Sequence, residues 1–203
     1  MPPIYHITPL EHLSKIIEEG GLRCDVDAQK VATVNIAHKN IKARRLKKAV
    51  PVGPGGVVAD YVPFYFAPRS PMLYAINQGK VEGYTAGQTP IVYLCSSTEA
   101  VDKAGLRWVF TEGHAAMDYT DFFDDFKNLD KIDWKLMESR YWFDTDDYPD
   151  RCRCRQAEFL VHKFLPWILV SEIGVCNTAT ALKVQGILNG NKPPVNVRQG
   201  WYY

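Results

Sequence analysis

The chain has 203 residues and an almost even charge balance, with 24 Lys and Arg against 23 Asp and Glu and a net charge of +1. This length suits one domain, which we expect to span residues 1–203 and to bury about 70% of the surface exposed by the unfolded chain. The near-zero net charge excludes nucleic-acid binding through a global basic excess. A local patch is nevertheless present, because residues 38–48 read HKNIKARRLKK while residues 118–150 are mainly acidic. The sequence therefore predicts a strong charge asymmetry.

The five cysteines are scattered and odd in number, and Met1-Pro2-Pro3 leads directly into a predicted strand without a signal peptide. A reducing cytoplasm is therefore the expected location. Cys152 and Cys154 form a CxC pair, with no second pair at zinc-ligand spacing, so no metal is expected. No apolar run approaches the roughly 20 residues of a membrane span, so no membrane partner is expected.

The first predicted elements are a strand at residues 4–7 and a helix that follows it. Residues 8–11, Thr-Pro-Leu-Glu, have the form of a capping box with proline at the first helical position. His6 lies at the end of the strand, where backbone groups and side chains often meet ligands. Taken alone, however, these residues favour a capping role for Thr8 and a packing role for His6.

The basic segment is predicted to be a helix over residues 35–48. A solvated helix is one interpretation. The alternative is a segment that faces phosphate, because paired arginines such as Arg44 and Arg45 can each bind two oxygens at once.

Residues 62–76, VPFYFAPRSPMLYAI, predict a strand that turns abruptly into a helix. The aromatic run at residues 64–66 favours an extended backbone, and Pro68 cannot donate to a sheet ladder. Ser70 can then cap a helix that has Pro71 at its first position.

Arg69 lies at this predicted bend, between Tyr65 and Tyr74. The two flat rings and the guanidinium could hold a planar anionic ligand. A packed corner without a ligand is the alternative that this stretch alone favours.

The rest of the chain predicts short strands interrupted by short helices, which indicates an α+β fold. The predicted strands span residues 90–95, 107–110, 158–164, 168–175 and 195–197, and His114 is presented by a turn. The predicted helices span residues 97–104, 119–129 and 134–137, and a last helix, capped by Asn177 or Thr178, ends at Leu188.

Residues 141–156 have no clean period and predict a structured surface loop. Acidic residues mix there with Tyr148 and the cations Arg151, Arg153 and Arg155. Such a loop suits a nucleic-acid strand, with guanidinium groups on phosphates and the ring on a base. Glu158 opens a strand immediately afterwards.

Three landmarks now align along the chain: HIT at residues 6–8, YFA at 65–67 followed by Ser70 and Tyr74, and the late Glu158. They resemble the ADP-ribosyltransferase fold of poly(ADP-ribose) polymerases and diphtheria-like toxins. The fuller order HIT, IKARR, DYVPFYFAPRSPMLYAI, EGHA and QAEFLVH is similar to the DarT family of DNA ADP-ribosyltransferase toxins over nearly the whole chain. The resemblance implies an α+β fold with central, mostly antiparallel split sheets and flanking helices.

The resemblance also implies NAD as co-substrate, no metal, and three sets of site residues. The catalytic set is Glu158 and Arg45. The set that holds NAD is His6, Thr8, Arg44, Tyr65, Ser70, Tyr74 and His114. The set that contacts DNA is Arg69, Tyr148, Arg151, Arg153 and Arg155.

In this scheme Glu158 would stabilise the oxocarbenium-like ribose and then accept a proton from the attacking base. The implied acceptor is thymine in single-stranded DNA, with guanine used by a sister group, and the implied partner is a macrodomain antitoxin, as in DarT/DarG systems. Two alternatives remain open: an ADP-ribosyltransferase that acts on RNA or protein, and a non-catalytic single-strand binding module.

Overall fold

The computed structural model describes residues 1–28, 34–190 and 193–203. The strands within these ranges are β1 (Pro3–Pro9), β2 (Gly21–Arg23), β3 (Tyr61–Tyr65), β4 (Ile91–Ser97), β5 (Trp108–His114), β6 (Phe122–Phe123), β7 (Ala157–His162), β8 (Phe164–Pro166), β9 (Glu172–Val175) and β10 (Val195–Val197). The α-helices are α1 (Leu13–Glu18), α2 (Asp25–Ala28), α3 (Lys39–Arg45), α4 (Pro71–Asn77), α5 (Thr98–Lys103), α6 (Trp134–Glu138), α7 (Arg151–Cys154) and α8 (Thr178–Leu188). Short 3-10 helices lie at Leu10–His12, Val58–Asp60, Phe126–Lys131, Trp167–Leu169 and Gln199–Trp201.

Eight strands form one sheet in the order β10-β9-β4-β1-β3-β7-β5-β6, and β2 pairs with β8 in a small second sheet. Neighbours are antiparallel except β10 and β9. β1 pairs with β4 from Pro3 to Pro9, yet its register with β3 is the single pair Tyr5 and Tyr65. The sheet therefore opens along the boundary between β1 and β3, called the seam below. This architecture confirms the predicted α+β class with its mostly antiparallel, split sheet.

The sheet carries buried apolar side chains on both faces. Ile4 and Ile7 of β1 belong to different core clusters, and residues three apart on a strand point to opposite faces. Ile4 packs in the cluster that contains Phe64 and Phe159, while Ile7 packs with Leu73 of α4. The helices therefore pack against both faces of the sheet. Within the described ranges, no helix has the length and apolar character needed to cross a bilayer.

Two helix starts confirm the sequence prediction. The Ser70 hydroxyl accepts a hydrogen bond from the Leu73 amide at 3.2 Å, and α4 begins at Pro71. Asn177 caps α8 in the same way, through the Thr180 amide at 2.9 Å.

Two other predictions are wrong. Thr8 and Pro9 do not cap a helix, because pairing with β4 continues to the end of β1 and keeps both residues extended. The helix predicted over residues 119–129 is absent from the described structure: Phe122–Phe123 pairs with β5, and Phe126–Lys131 is a 3-10 helix. The basic helix α3 forms but is shorter than predicted.

Candidate active site

Glu158 lies at the beginning of β7, opposite Tyr65 of β3, and is only 3% exposed. One carboxylate oxygen, Oε2, accepts a hydrogen bond from Arg45 Nη1 at 2.7 Å. The other, Oε1, accepts one from the Ala115 amide at 3.0 Å. Both oxygens therefore have fixed directions before any ligand binds.

Arg45 is the last residue of α3 and lies between two carboxylates. Its Nε donates to Asp25 Oδ2 at 2.6 Å, while Nη1 donates to Glu158. The third nitrogen, Nη2, is buried and has no hydrogen-bond partner among the described residues. A buried donor without a partner is costly, so Nη2 is suited to the oxygen of a ligand.

The charges of Glu158, Arg45 and Asp25, called the charged group below, stabilise one another. Burial by itself raises the pKa of Glu158, but the charge of Arg45 and the contact with His114 outweigh it and lower that pKa to about 2. Burial likewise opposes the charged form of Arg45, and Glu158 and Asp25 together raise the Arg45 pKa. Glu158 is therefore a permanent anion at neutral pH.

His114 ends β5 and places Nδ1 at 3.5 Å from Glu158 Oε1. The same Nδ1 lies 3.2 Å from the Ala116 amide, so it donates to Glu158 when it carries a proton and accepts from the amide when it does not. His114 thus lies next to Glu158, at the end of a strand and not on the predicted turn.

His6 and Thr8 line the seam from the side of β1. His6 Nδ1 is 2.8 Å from the Pro63 carbonyl across the seam, and burial lowers the pKa of His6. Thr8 Oγ1 lies 3.4 Å from His12 Nδ1, and the other His12 ring nitrogen accepts from the Val34 amide at 3.3 Å. The His6 ring is therefore neutral and bridges the two halves of the sheet.

Tyr65 lies beside Glu158, whose charge, after burial, raises the pKa of the Tyr65 phenol. Its hydroxyl donates to Met72 Sδ at 3.5 Å. The Ser70 hydroxyl caps α4 and also forms a side-chain hydrogen bond with Tyr65. The Tyr74 ring lies farther along α4 and makes edge contacts with Trp142, Phe143 and Tyr203 at centroid distances of 5.0–5.6 Å.

Two of the arginines predicted to contact DNA already have partners within the protein. Arg155 is 3% exposed and donates to the Leu136 carbonyl at 2.7 Å and the Pro68 carbonyl at 2.6 Å. Arg153 forms ion pairs with Asp150 and Glu112, both at 2.6 Å. This placement does not support DNA contact by either side chain, because each would first have to lose these partners.

The remaining members of that set are more accessible. Tyr148 is 65% exposed, and Arg151 donates to the Tyr141 carbonyl at 2.6 Å. Arg151 is the first residue of α7, so the last part of the predicted surface loop is helical. Arg69 has a left-handed backbone with φ of 58°, donates to the Tyr202 carbonyl and lies 4.1 Å from the centre of the Tyr203 ring. With Arg155, it lines a cavity of about 920 Å³ at the end of β3.

Comparison with known proteins agrees with this geometry. Residues 5–203 match the family model of the single-stranded DNA thymidine ADP-ribosyltransferase DarT. The chain belongs to the DarT family. It is similar to a Thermus sp. 2.9 DNA ADP-ribosyl transferase, with 42% identity over 99% of this chain and 96% of the relative. The family is therefore established over nearly the full length.

Solved structures of that Thermus relative superimpose on the chain. The complex with ADP-ribosylated single-stranded DNA gives a TM-score of 0.93 over 100% of this chain and 96% of that chain. The complex with NAD+ gives 0.90, at 41% identity, over 100% and 98%. A Thermosipho africanus fusion of a DNA ADP-ribosyl transferase with a DNA ADP-ribosyl glycohydrolase is 24% identical over 95% of this chain and 47% of the fusion.

Asp25 is a member of this charged group that sequence reasoning missed. Residues 22–34 gave no periodic signal, so no element and no role were predicted for them. The useful signal would have been the acidic residues of this segment, because a buried arginine such as Arg45 needs carboxylate partners from more than one element.

Proposed function

We propose that this protein transfers ADP-ribose from NAD to a thymine base in single-stranded DNA, with residues 1–203 acting as one domain. The observation that carries this proposal is the buried Glu158, held as an anion by Arg45 beside the seam of an ADP-ribosyltransferase sheet. Family membership and the superposition on relatives solved with NAD+ and with modified DNA support it.

The reaction breaks one glycosidic bond and forms another. The bonding electrons leave with nicotinamide, and the ribose carbon becomes oxocarbenium-like, which the Glu158 carboxylate stabilises by its charge. A ring nitrogen of the base then supplies the electrons for the new bond. Its proton passes to Glu158 as general base, and displacement of Arg45 by substrate would increase the basicity of that carboxylate.

We assign the contacts with the nicotinamide end of NAD to the side of Glu158 occupied by β1 and α4. His6 and Thr8 would hold the nicotinamide ribose and carboxamide, and Tyr65, hydrogen-bonded to Ser70, would form a wall. Tyr74 remains our proposed platform for the nicotinamide ring. Arg44 and His114, the other residues of the predicted NAD set, lie on the side of β5. Arg45 Nη2 is suited to an oxygen of the substrate.

We assign the DNA contacts mainly to exposed rings of the loop before β7. Tyr141, Phe143 and Tyr148 are 72%, 48% and 65% exposed. Bases of an unpaired strand stack on such rings, and an unpaired base enters a pocket without the cost of leaving a duplex. Arg69 and Arg151 remain candidates for phosphate contacts.

We further propose a macrodomain antitoxin as partner and the cytoplasm as location. The Thermosipho relative joins a transferase to a glycohydrolase, which supports a partner that removes the mark. The five cysteines are free in this structure, as a reducing compartment favours.

The test is intact mass spectrometry of short oligonucleotides incubated with the protein and NAD, with one base type varied at a time. A gain of one ADP-ribose on thymine-containing single strands alone is expected. Consumption of NAD without any gain on DNA would move the target to RNA or protein. Neither gain nor consumption would favour a binding module without catalysis.

The matched variant for this test is Glu158→Ala. We expect it to abolish transfer and to leave the affinity for the strand nearly unchanged, since Glu158 acts on the ribose. Arg45→Ala should lower transfer sharply. Loss of strand binding in Glu158→Ala would count against the role given to Glu158.

A further inference from the structure

A second cavity, of about 380 Å³, lies next to the charged group on the side of β5. One wall is formed by Arg44, Lys47 and Lys48 at the end of α3. The other wall is formed by residues 116–119, which follow β5. We call this cavity the cationic pocket.

The cations of this pocket are poorly neutralised. Lys47 takes part in no ion pair within the described residues, and Arg44 Nη1 reaches the Met117 sulfur at 3.7 Å. Lys48 Nζ lies 3.1 Å from the carbonyl of Asp118 and 3.7 Å from its Oδ1. Three cations therefore face one exposed carboxylate, and the pocket suits an anionic ligand.

The pocket adjoins Glu158 on the side away from β1. The Ala115 amide donates to Glu158, and the next residue, Ala116, lines the pocket. In the sheet, Tyr65 of β3 stands opposite Glu158 on one side, and His114 of β5 stands opposite Ala157 on the other. Glu158 therefore separates the seam from the cationic pocket.

The chemistry of the transfer assigns an occupant to each side. A nucleophile that replaces a leaving group at a sugar carbon can enter from the face opposite to that group. The proposed nicotinamide contacts lie on β1 and α4, so the acceptor base would enter from the side of β5. The strand that carries this base must then pass the cationic pocket.

We propose that the cationic pocket binds a backbone phosphate of the acceptor strand next to the modified base. This inference rests on the proposed function and adds a phosphate site to the DNA contacts assigned above to the loop before β7. Tyr119, at the rim and 64% exposed, offers a ring on which a neighbouring base stacks. Arg153 supports that ring from 5.2 Å, which gives this internally paired arginine an indirect part in strand binding.

The first test compares Lys47→Ala and Lys47→Glu with the matched control Lys39→Ala. Lys39 is the first residue of α3, its side chain is 72% exposed, and it pairs with Glu82. We expect the KM for the strand to rise about threefold to tenfold in the Lys47 variants, with a salt slope of strand affinity smaller by about 0.7. The KM for NAD should stay within about twofold of wild type in all three.

The second test replaces single phosphates of the strand by uncharged methylphosphonates. One position beside the thymine should weaken binding to the wild type, and Lys47→Ala should be insensitive at that same position. A rise in the KM for NAD would overturn the proposal and assign the pocket to the NAD diphosphate. Equal sensitivity of wild type and variant would also overturn it.

Binding measured by fluorescence anisotropy, without NAD, keeps this test separate from the proposed reaction. If the wild type modifies no strand, the proposed function fails. The loss of strand affinity in Lys47→Glu, relative to Lys39→Ala, would still decide whether the pocket holds phosphate.

Discussion

At the scale of single residues, Asp25 is the side chain whose contribution can be isolated most clearly. It accepts from Arg45 Nε and so directs the remaining guanidinium nitrogens, one at Glu158 and one at the site. Asp25 is 26% exposed on its side chain and makes no direct bond to Glu158 in the described structure. We infer that it is a positioning residue for Arg45.

We expect Asp25→Asn to lower the single-turnover transfer rate about tenfold to a hundredfold, because a hydrogen bond between charged groups contributes about 1.5–3 kcal/mol. Asp25→Glu should recover part of this loss. With Arg45 less well held, the pKa of Glu158 rises, so the acid limb of the rate profile should move toward neutral pH. The measurement is the transfer rate between pH 4 and 8.

The control for Asp25 is Glu82→Gln. Glu82 is the carboxylate partner of Lys39 at the beginning of α3, the helix that ends at Arg45. The transfer rate of Glu82→Gln and the acid limb of its pH–rate profile should match those of the wild type. A slower Asp25→Asn enzyme with an unmoved acid limb would indicate a structural role alone.

The ion pair of Arg45 and Glu158 also predicts that the stabilities of the wild type and of Arg45→Ala respond to pH in opposite directions. In the wild type the Glu158 pKa is lowered to about 2 from 4.5, so its contribution is present above pH 4.5 and is lost as pH falls toward 2. In Arg45→Ala, burial without the cation raises this pKa above 4.5. The folded variant then binds the proton more tightly, and its free energy of unfolding should increase as pH falls from 7 to 5.

Urea unfolding at pH 5 and pH 7 measures this difference. At pH 7 the Arg45→Ala variant should lose about 3–5 kcal/mol, the usual effect of leaving a buried charge without its partner. Adding Glu158→Gln should reduce the pH response. Equal slopes in wild type and Arg45→Ala would contradict the prediction.

At the scale of elements, the corner between β3 and α4 is held by the last aromatic residue. Tyr203 accepts from Trp142 Nε1 at 2.8 Å and donates to the Arg69 carbonyl at 2.5 Å. Its ring also contacts Tyr74 and lies beneath the Arg69 guanidinium. The Tyr203 hydroxyl therefore joins the loop before β7, through Trp142, to the chain just before α4, through Arg69.

Tyr203→Phe leaves both partners without this hydroxyl, so we expect a loss of about 1–3 kcal/mol in the free energy of unfolding. Hydrogen exchange in residues 139–150 should become faster. Tyr148→Phe is the control, because Tyr148 is 65% exposed and a surface change costs less than about 0.5 kcal/mol. Equal effects of the two substitutions would show that Tyr203 does not hold the loop.

The elements that the sequence predicted best are those with local signals. Ser70 before Pro71 and Asn177 before α8 act as caps whose partners lie three residues away. The prediction for residues 119–129 failed because the phenylalanine spacing also fits an edge strand, and only pairing with β5 decides between them.

The site residues divide in the same way, into those with a signal in the sequence and those that depend on tertiary contacts. Glu158 was found through the family resemblance, whereas its contacts with Arg45 span 113 positions of the chain. The internal partners of Arg153 and the position of Asp25 also depend on tertiary packing. A sequence shows the charge of such residues but not whether a neighbour already satisfies it.

At the scale of the whole molecule, the sheet consists of two halves that meet at the seam and share the charged group at one end. The pair formed by Tyr5 and Tyr65 is the register contact between β1 and β3, whereas β3 and β7 pair from Tyr61 to Tyr65. An open boundary of this kind exposes backbone groups that a ligand can cover. The two substrates should therefore leave different protection patterns.

Hydrogen exchange of the Glu158→Ala variant, which should bind both substrates without turnover, tests this arrangement. NAD alone should slow exchange in β1 and β3 along the seam, because bound ligand reduces local opening. A thymine-containing strand alone should instead slow exchange in residues 116–119 and at the end of α3. The parallel pair of β9 and β10 at the sheet edge serves as the internal control and should not change. Protection of residues 116–119 by NAD would show that both substrates approach Glu158 from the same side, and the in-line geometry proposed for the transfer would then be wrong.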